Sequence, residues 1–228
     1  MRADGRTVIF DLDGTLADTS GDLLAAANGC FRELGLGNLL GAADAGTALR
    51  GGKAMLRLGF GRAEGFGEEE VERQYPHLLR RYEEAICDLT TLYPGAEEAV
   101  MRLRATGCRT GICTNKPERL TELLLDRLRV RHLFDSVVGA DTLPVRKPDP
   151  LPLRESVARA GGRMAAACLV GDSDTDRLTA QAAGVPSILV TFGPSGDDMA
   201  ALAPEALLRS FDDLPGTVDR ILRAVAAA

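Results

Sequence analysis

Several features that are typical of proteins that bind nucleic acid or insert into membranes are scarce in this sequence. It has no tryptophan, only 4% aromatic residues and a formal net charge of −6, so neither a platform for stacking bases nor a cationic surface for a nucleic-acid backbone is visible. No apolar run is long enough to cross a bilayer, and residues 1–5 lead straight into a short strand without the apolar segment of a signal peptide. We therefore expect a cytoplasmic protein with no nucleic-acid partner and no membrane partner.

Cysteine and lysine are also sparse. The five cysteines are an odd number, widely spaced and without a C-x-x-C pair, so we expect reduced thiols in the core. Only three of the 27 basic residues are lysines, namely Lys53, Lys116 and Lys147. Because an ammonium and a guanidinium are not interchangeable at tight sites, a retained lysine can mark such a site. Chance survival of three lysines under a composition bias is the alternative.

Short apolar runs alternate with helical patterns, which is typical of parallel βαβ units. The predicted strands are Thr7–Phe10, Arg109–Cys113, Ser136–Gly139, Ala167–Val170 and Ser187–Val190. Helices are predicted over residues 96–106, 117–128 and 150–160, and the C-terminal tail is predicted to form a further amphipathic helix. The sequence thus predicts an α/β fold with a doubly wound, Rossmann-like parallel sheet.

Roughly a hundred residues separate the first two strands, far more than one crossover helix needs. Their periodicity is helical: Leu23, Ala27, Cys30 and Leu34 share one face, and Val71, Tyr75, Leu79, Tyr82 and Ile86 share another. Pro76 is expected to kink the second of these helices. We therefore predict a core domain of residues 1–19 and 89–228, with an all-helical cap domain of residues 20–88 inserted into it.

Two carboxylates follow the first strand in the sequence D-L-D-G-T. Asp11 and Asp13 are two residues apart, so their side chains point to the same side at the carboxyl end of the strand. Open α/β sheets bind ligands at that end, and two carboxylates there repel each other unless a cation lies between them. A surface Asp-Gly turn that closes the strand is the alternative.

A second acidic group follows the fourth strand, where Asp172, Asp174 and Asp176 are spaced by two. A calcium loop of this type needs Gly at position six and Glu at position twelve, but Arg177 and Ala183 occupy those positions. A helix capped by Ser173, with Asp176 completing a capping box, is the structural alternative. That alternative leaves Asp172 at the strand tip unexplained.

Two further segments contribute a hydroxyl and lysines. Thr114-Asn115-Lys116 ends the second strand and begins a helix, where backbone N–H groups favour an anion. Arg146-Lys147-Pro148-Asp149-Pro150 precedes another helix and carries a lysine on a stiff loop. Each segment alone has an ordinary explanation, as a helix cap or as a solvated lysine before a turn. Together, the four segments supply the parts of one phosphoryl-transfer site.

These motifs resemble those of the haloacid dehalogenase superfamily and, within it, of the phosphoglycolate phosphatase group. The motifs occur in family order as F-D-L-D-G-T-L-A-D-T from Phe10, T-N-K from Thr114, R-K-P-D-P from Arg146 and V-G-D-S-D-T-D from Val170. They cover nearly the whole chain. As a set they are highly specific, although each short motif is not.

The resemblance implies a Mg²⁺-dependent phosphatase that forms a phosphoaspartate, with 2-phosphoglycolate as the favoured substrate. It implies that Asp11 is the nucleophile, Asp13 the general acid and base, Thr114 a phosphoryl ligand and Lys147 a cation that balances their charge. Asp11, the Asp13 carbonyl and Asp172 would hold Mg²⁺, and Asp176 would position Lys147 or a metal-bound water. We assign Asn115 to substrate binding as well.

The cap offers one candidate for substrate discrimination. The segment Arg50-Gly51-Gly52-Lys53 is predicted to lie between two cap helices, where Arg50 and Lys53 could bind a substrate carboxylate. A flexible interhelical turn is the alternative. A monomer and a homodimer both remain open.

Other functions share parts of this pattern. A sugar-phosphate phosphatase and a β-phosphoglucomutase-like phosphotransferase would use the same motifs. A non-catalytic phosphate sensor and a signalling receiver domain are alternatives that are not phosphatases. Receiver domains are about half this length and lack the inserted helices.

Overall fold

The computed structural model describes residues 5–227. This range contains eight strands: β1 (Thr7–Phe10), β2 (Ala17–Asp18), β3 (Thr91–Leu92), β4 (Arg109–Cys113), β5 (Ser136–Val138), β6 (Ala167–Gly171), β7 (Ser187–Val190) and β8 (Ala206–Leu208). Six of them form one sheet in the order β5-β4-β1-β6-β7-β8, with every neighbouring pair parallel. The predicted α/β fold is confirmed.

The same range contains nine α-helices: α1 (Ser20–Glu33), α2 (Ala45–Ala48), α3 (Gly52–Phe60), α4 (Glu68–Glu84), α5 (Ala96–Ala105), α6 (Glu118–Arg127), α7 (Leu151–Arg159), α8 (Asp174–Ala183) and α9 (Leu214–Ala227). α7 and α8 pack on each other and on the sheet, as do α5 and α9. Because helices cover the sheet, its strands are buried and read as continuous apolar runs.

The central position of β1 determines where a site can form. β1 pairs with β4 on one side, with Val8 opposite Thr110, and with β6 on the other, with Val8 opposite Cys168. The chain therefore builds outward from β1 through β4 and β5, and then returns to β6 on the opposite side. This change of direction leaves a crevice at the carboxyl ends of β1, β4 and β6, where doubly wound folds place ligands.

The chain divides into two compact units. One consists of the residues up to Ala17 together with those from Leu92 onward, and the other is Asp18–Thr91. The short strands β2 and β3 pair at the two points where the chain passes from one unit to the other. That residues 20–88 act as a cap domain stays a prediction.

The Asp18–Thr91 unit has an apolar interior and tightly fitted helices. The rings of Phe31 and Phe60 meet edge to face with centroids 5.1 Å apart, an arrangement that aromatic quadrupoles favour. A Cβ at Gly59 would come within 2.1 Å of Phe31, so this position on α3 has room only for glycine. α4 continues through Pro76 without interruption.

A buried carboxylate fixes the end of the same unit. Asp22, in the first turn of α1, accepts hydrogen bonds from the backbone N–H groups of Leu89 and Thr90 and from the Thr90 hydroxyl, at 3.0, 2.9 and 2.6 Å. With 3% of its surface exposed, Asp22 has its charge satisfied by these donors. The residues that lead out of the unit are thereby tied to the helix that leads in.

Several elements differ from the sequence prediction. The edge strand β8 and the helices α2 and α3 were not predicted, and Gly52 and Lys53 belong to the first turn of α3 rather than to an interhelical turn. No disulfide joins any of the five cysteines, all of which lie among the described residues. Between residues 5 and 227, no helix combines the length and the apolar character needed to span a bilayer.

The close packing around one glycine of β4 provides a test of how the sheet is packed. A Cβ at Gly111 would come within 2.2 Å of the Ser136 hydroxyl oxygen and 2.9 Å of the Ile9 side chain. We expect Gly111→Ala to lower the free energy of unfolding in urea by about 1–3 kcal/mol, because overpacking strains a dense core. Gly216→Ala in α9 is the matched control, since nothing lies near its Cβ and alanine favours a helix by up to about 1 kcal/mol. Equal changes in the two variants would contradict this packing.

Candidate active site

Backbone hydrogen bonds hold the loop that follows β1 and carries Asp11. The N–H of Asp11 donates to the carbonyl of Val170 at 2.9 Å, one residue beyond the end of the strand. Farther on, Gly14 adopts φ +82, a conformation that is strained for other residues, and its N–H donates to Ala17. The nucleophile candidate is thus held by the sheet, and the turn after it needs glycine.

Lys147 joins two of the predicted acids. Its ammonium lies 3.0 Å from Asp11 Oδ1 and 2.6 Å from Asp176 Oδ1, with only 2% of the lysine side chain exposed. The exposed Asn115 donates its side-chain amide to the Lys147 carbonyl at 3.1 Å. Asn115 therefore braces the lysine loop in this structure, and its assignment to substrate binding stays a prediction.

The second acidic group opens α8. Ser173 is the N-cap and accepts a hydrogen bond from the Asp176 N–H at 3.3 Å, so the capping prediction is confirmed for this residue. Asp176 Oδ2 in turn accepts from the Ser173 hydroxyl at 2.5 Å and from the Asp172 N–H at 3.3 Å. The neighbouring carboxylate, Asp172 Oδ1, accepts from the buried hydroxyl of Thr15 at 2.8 Å.

Burial governs the protonation of these groups. Burial, reinforced by Asp176 and Asp13 and opposed by Lys147, raises the pKa of Asp11 to about 6. Burial and the charges of Asp11 and Asp176 also raise the pKa of Asp172 well above its usual range. For Lys147, burial opposes the charged form, but Asp11 and Asp176 outweigh it and raise its pKa. With only Lys147 to balance Asp11, Asp172 and Asp176, the cluster has an excess of negative charge when its carboxylates are ionised.

The three acids have the composition of a metal site. Carboxylate oxygens of Asp11, Asp172 and Asp176 lie within 4.8 Å of one another, and the buried Asp11 Oδ1 has no hydrogen bond besides its ion pair with Lys147. An oxygen-only donor set with excess negative charge suits a hard divalent cation. Both oxygens of Asp176 already accept hydrogen bonds, so Asp11 and Asp172 are the better placed ligands.

Asp13 is half-buried and makes an ion pair of its own. Lys116 Nζ lies 2.9 Å from one of its carboxylate oxygens and 3.2 Å from the other. At the end of β4, Thr114 is 3% exposed, and its hydroxyl accepts a hydrogen bond from the Lys116 N–H at 3.2 Å. Asp11, Asp13, Thr114 and Lys147 therefore lie at one edge of the sheet.

The predicted cap residues belong to the Asp18–Thr91 unit. Arg50 is exposed next to Gly51, whose φ is +101. The Lys53 ammonium contacts both carboxylate oxygens of Glu72 at 2.6 and 2.7 Å and lies 5.2 Å from the centre of the Tyr75 ring. The role of Arg50 and Lys53 in substrate binding stays a prediction.

Sequence reasoning gave no individual role to Thr15 or Lys116, although both lie in segments that it assigned to the site. Thr15 belongs to the D-x-D-G-T motif and is fully buried, but its pairing with Asp172 spans 157 residues and no local pattern reveals it. For Lys116, the scarcity of lysine was the available signal. Its partner Asp13 lies 103 residues away.

Comparison with known proteins agrees with this geometry. Residues 8–190 match the model of the haloacid dehalogenase-like hydrolase family. A phosphoglycolate phosphatase of Caulobacter vibrioides is 36% identical over 215 residues, which cover 92% of this chain and 90% of that protein. One of Xanthomonas campestris pv. campestris is 39% identical over 194 residues, covering 85% of this chain and 86% of that protein.

Solved structures show the same fold. The crystal structure of a predicted phosphoglycolate phosphatase from Haemophilus somnus 129PT superposes with a TM-score of 0.81 at 25% identity, covering 92% of this chain and 96% of that one. A haloacid dehalogenase-like hydrolase structure from Bacteroides fragilis has a TM-score of 0.79 at 23% identity, covering 92% of this chain and 99% of that one. The chain belongs to the haloacid dehalogenase-like hydrolase family.

Cation binding at the acidic cluster can be measured without an activity assay. At a Mg²⁺ concentration of about 100 times Kd, binding stabilises a protein by about 2.7 kcal/mol, which for this size is roughly 5–11 °C in Tm. We expect that rise when wild-type protein in EDTA is titrated with excess Mg²⁺, and little rise for Asp172→Asn.

The control is Asp212→Asn, which removes a carboxylate whose side chain is 81% exposed. This variant should keep the full rise in Tm. If Asp172→Asn showed the same rise as wild type, the cation would bind elsewhere.

Proposed function

We propose that this protein is a Mg²⁺-dependent phosphatase that hydrolyses 2-phosphoglycolate to glycolate and phosphate through a phosphoaspartate on Asp11. The observation that supports this most directly is the pairing of Asp11 with Lys147 at 3.0 Å, beside a second carboxylate, Asp13. This arrangement provides a nucleophile, a cation for the phosphoryl group and a group that can exchange protons. Hydrolysis of phosphate monoesters is very slow without a catalyst, so splitting it into two steps is advantageous.

In the first step, an oxygen of Asp11 attacks the phosphorus of the substrate. The bond from phosphorus to the leaving oxygen breaks, its electron pair goes to that oxygen, and the oxygen takes a proton from Asp13. A poor leaving group such as an alkoxide requires this proton. Asp11 is ionised near pH 7, since its pKa is about 6. Lys147 and the Thr114 hydroxyl hold the phosphoryl oxygens.

In the second step, water replaces the alcohol. Its oxygen attacks the phosphorus of the phosphoaspartate while Asp13, now a carboxylate, accepts a proton from it. The bond from phosphorus to Asp11 breaks and its electron pair returns to the Asp11 carboxylate, so that inorganic phosphate leaves. Both residues end in their starting states, as a catalytic cycle requires.

Mg²⁺ is our choice of cation because the ligands are oxygens alone. Asp11 and Asp172 would hold it together with the Asp13 carbonyl, and Asp176 would position Lys147. When bound, it would screen the repulsion between Asp11 and a phosphate dianion. The alignment of Asp172 depends on Thr15, because a ligand is oriented by the group that hydrogen-bonds to it.

The choice of 2-phosphoglycolate rests on the relatives. Proteins named phosphoglycolate phosphatase are 36–39% identical over most of this chain. Residues 20–88 would act as the cap, which must contact the part of the substrate that distinguishes one ester from another. Lys53 is the cap lysine, and Arg50 lies beside it in sequence. We further propose a cytoplasmic enzyme, monomeric or homodimeric, without nucleic-acid or membrane partners.

The nucleophile is tested by Asp11→Asn. An amide cannot form the acyl phosphate, so release of phosphate from 2-phosphoglycolate and from p-nitrophenyl phosphate should fall at least about a thousandfold. Asp212→Asn, the same change at an exposed position, should retain wild-type rates. Turnover of Asp11→Asn near the wild-type rate would refute the phosphoaspartate mechanism.

Substrate discrimination is tested by Lys53→Ala. A charge-assisted contact to the glycolate carboxylate is worth about 1.5–3 kcal/mol, so kcat/KM for 2-phosphoglycolate should fall roughly ten- to a hundredfold. The value for p-nitrophenyl phosphate should hardly change. Arg73→Ala is the control, because Arg73 is an exposed cation of the same unit that pairs with Glu69 and Glu70.

Two other outcomes would assign Lys53 differently. An equal fall in kcat/KM for both substrates would mean that Lys53 stabilises the Asp18–Thr91 unit through its contacts with Glu72 and Tyr75. No fall on either would remove Lys53 from substrate binding.

A further inference from the structure

The ion pair between Lys116 and Asp13 is largely shielded from water, the lysine more so than the aspartate. The lysine side chain is 4% exposed and that of Asp13 is 15% exposed, and the ammonium reaches both carboxylate oxygens, at 2.9 and 3.2 Å. Desolvating an ammonium costs free energy that only close pairing offsets. A lysine at this depth is therefore committed to its partner, in contrast to a surface lysine, which moves freely.

The backbone around Lys116 is also firmly held. Its N–H donates to Thr114 at 3.2 Å, and its carbonyl accepts from the Ala140 N–H at 2.9 Å. The loop after β5 approaches so closely that a Cβ at Gly139 would lie 2.8 Å from the Lys116 carbonyl oxygen and 2.4 Å from the Glu118 nitrogen. Two adjacent parallel strands thus fix the point from which the lysine side chain extends.

Asp13 lies outside the regular part of the sheet. It follows the end of β1 and precedes Gly14, in a turn whose backbone hydrogen bonds include the one from the Gly14 N–H to the Ala17 carbonyl. Its carboxylate must meet the leaving oxygen in one step and a water molecule in the next, and a displacement of about 1 Å can cost a hundredfold in rate. Each buried lysine pairs with different acids: Lys116 with Asp13, and Lys147 with Asp11 and Asp176.

We propose that Lys116 is a positioning residue that holds the carboxyl group of Asp13 in line with the leaving oxygen of the substrate. The inference rests on the proposed function, because it assigns Lys116 a part in the same reaction. It differs from a direct contact between Lys116 and the phosphoryl group, and also from a purely structural ion pair. These three roles predict different dependence on the leaving group.

The first experiment compares Lys116→Met with wild type on two esters. kcat/KM includes only the steps up to loss of the leaving group, and p-nitrophenolate needs little protonation. The variant should therefore lose about ten- to a hundredfold on 2-phosphoglycolate and less than about threefold on p-nitrophenyl phosphate. Arg209→Met, which removes a cation from an exposed pair with Asp197, should change neither value.

The second experiment adds the same change to Asp13→Asn. If Lys116 acts through Asp13, the double variant Asp13→Asn with Lys116→Met should be within about twofold of Asp13→Asn alone on both esters, because residues that act as a unit are not additive. Removing both members of a buried pair also avoids an unpaired charge. The double variant therefore serves as the test if Lys116→Met alone fails to fold.

Three results would overturn the inference. Equal losses on both esters in Lys116→Met, or a further large loss in the double variant, would place Lys116 on the phosphoryl group or in the fold. A loss below about threefold on 2-phosphoglycolate would leave Lys116 with no part in catalysis. A failure of the proposed function would look different, because wild-type protein would then fail to hydrolyse 2-phosphoglycolate, whether or not it hydrolysed p-nitrophenyl phosphate.

Discussion

Carboxylates of Asp11, Asp172 and Asp176 lie within 4.8 Å of one another, away from water, and this crowding of negative charge is the constraint on which the site depends. Buried charges that are not balanced are costly. Lys147 balances part of the cluster, and the remaining charge suits a cation. The same excess that must be balanced in the free protein would favour the Mg²⁺ that we propose for this site.

Contacts outside the strands that carry these acids also help to hold the acidic cluster in place. Asp176 lies in the first turn of α8, where the helix dipole favours negative charge, and its neighbour Arg177 fastens that turn. The Arg177 guanidinium donates to Glu205 at 2.7 Å and to the Ala203 carbonyl at 2.7 Å, and Glu205 also binds the Ser187 N–H. The edge of the sheet around β8 therefore supports acids at its centre.

Sequence reasoning predicted five of the six sheet strands to within one residue, because buried parallel strands such as Thr7–Phe10 leave continuous apolar runs. β8 has only three residues, too few to show a period. The acids of the site were predicted because strand ends carry short motifs. The Lys116–Asp13 pair was not, since it joins residues 103 apart, and Lys53 was misplaced because Gly51-Gly52 looks like a turn although α3 begins within it.

The central place of β1 also has a consequence for synthesis of the chain on the ribosome. β1 emerges first, but β6, one of its two neighbours, follows about 160 residues later, which at 5–20 residues per second means roughly 8–32 s of waiting. During that time Val8, Ile9 and Phe10 form an apolar segment with an open edge, and such segments aggregate. Residues 18–91 are complete much sooner and form a compact unit. A chaperone that recognises short apolar segments would therefore have the longest access to β1, the strand that leads into Asp11.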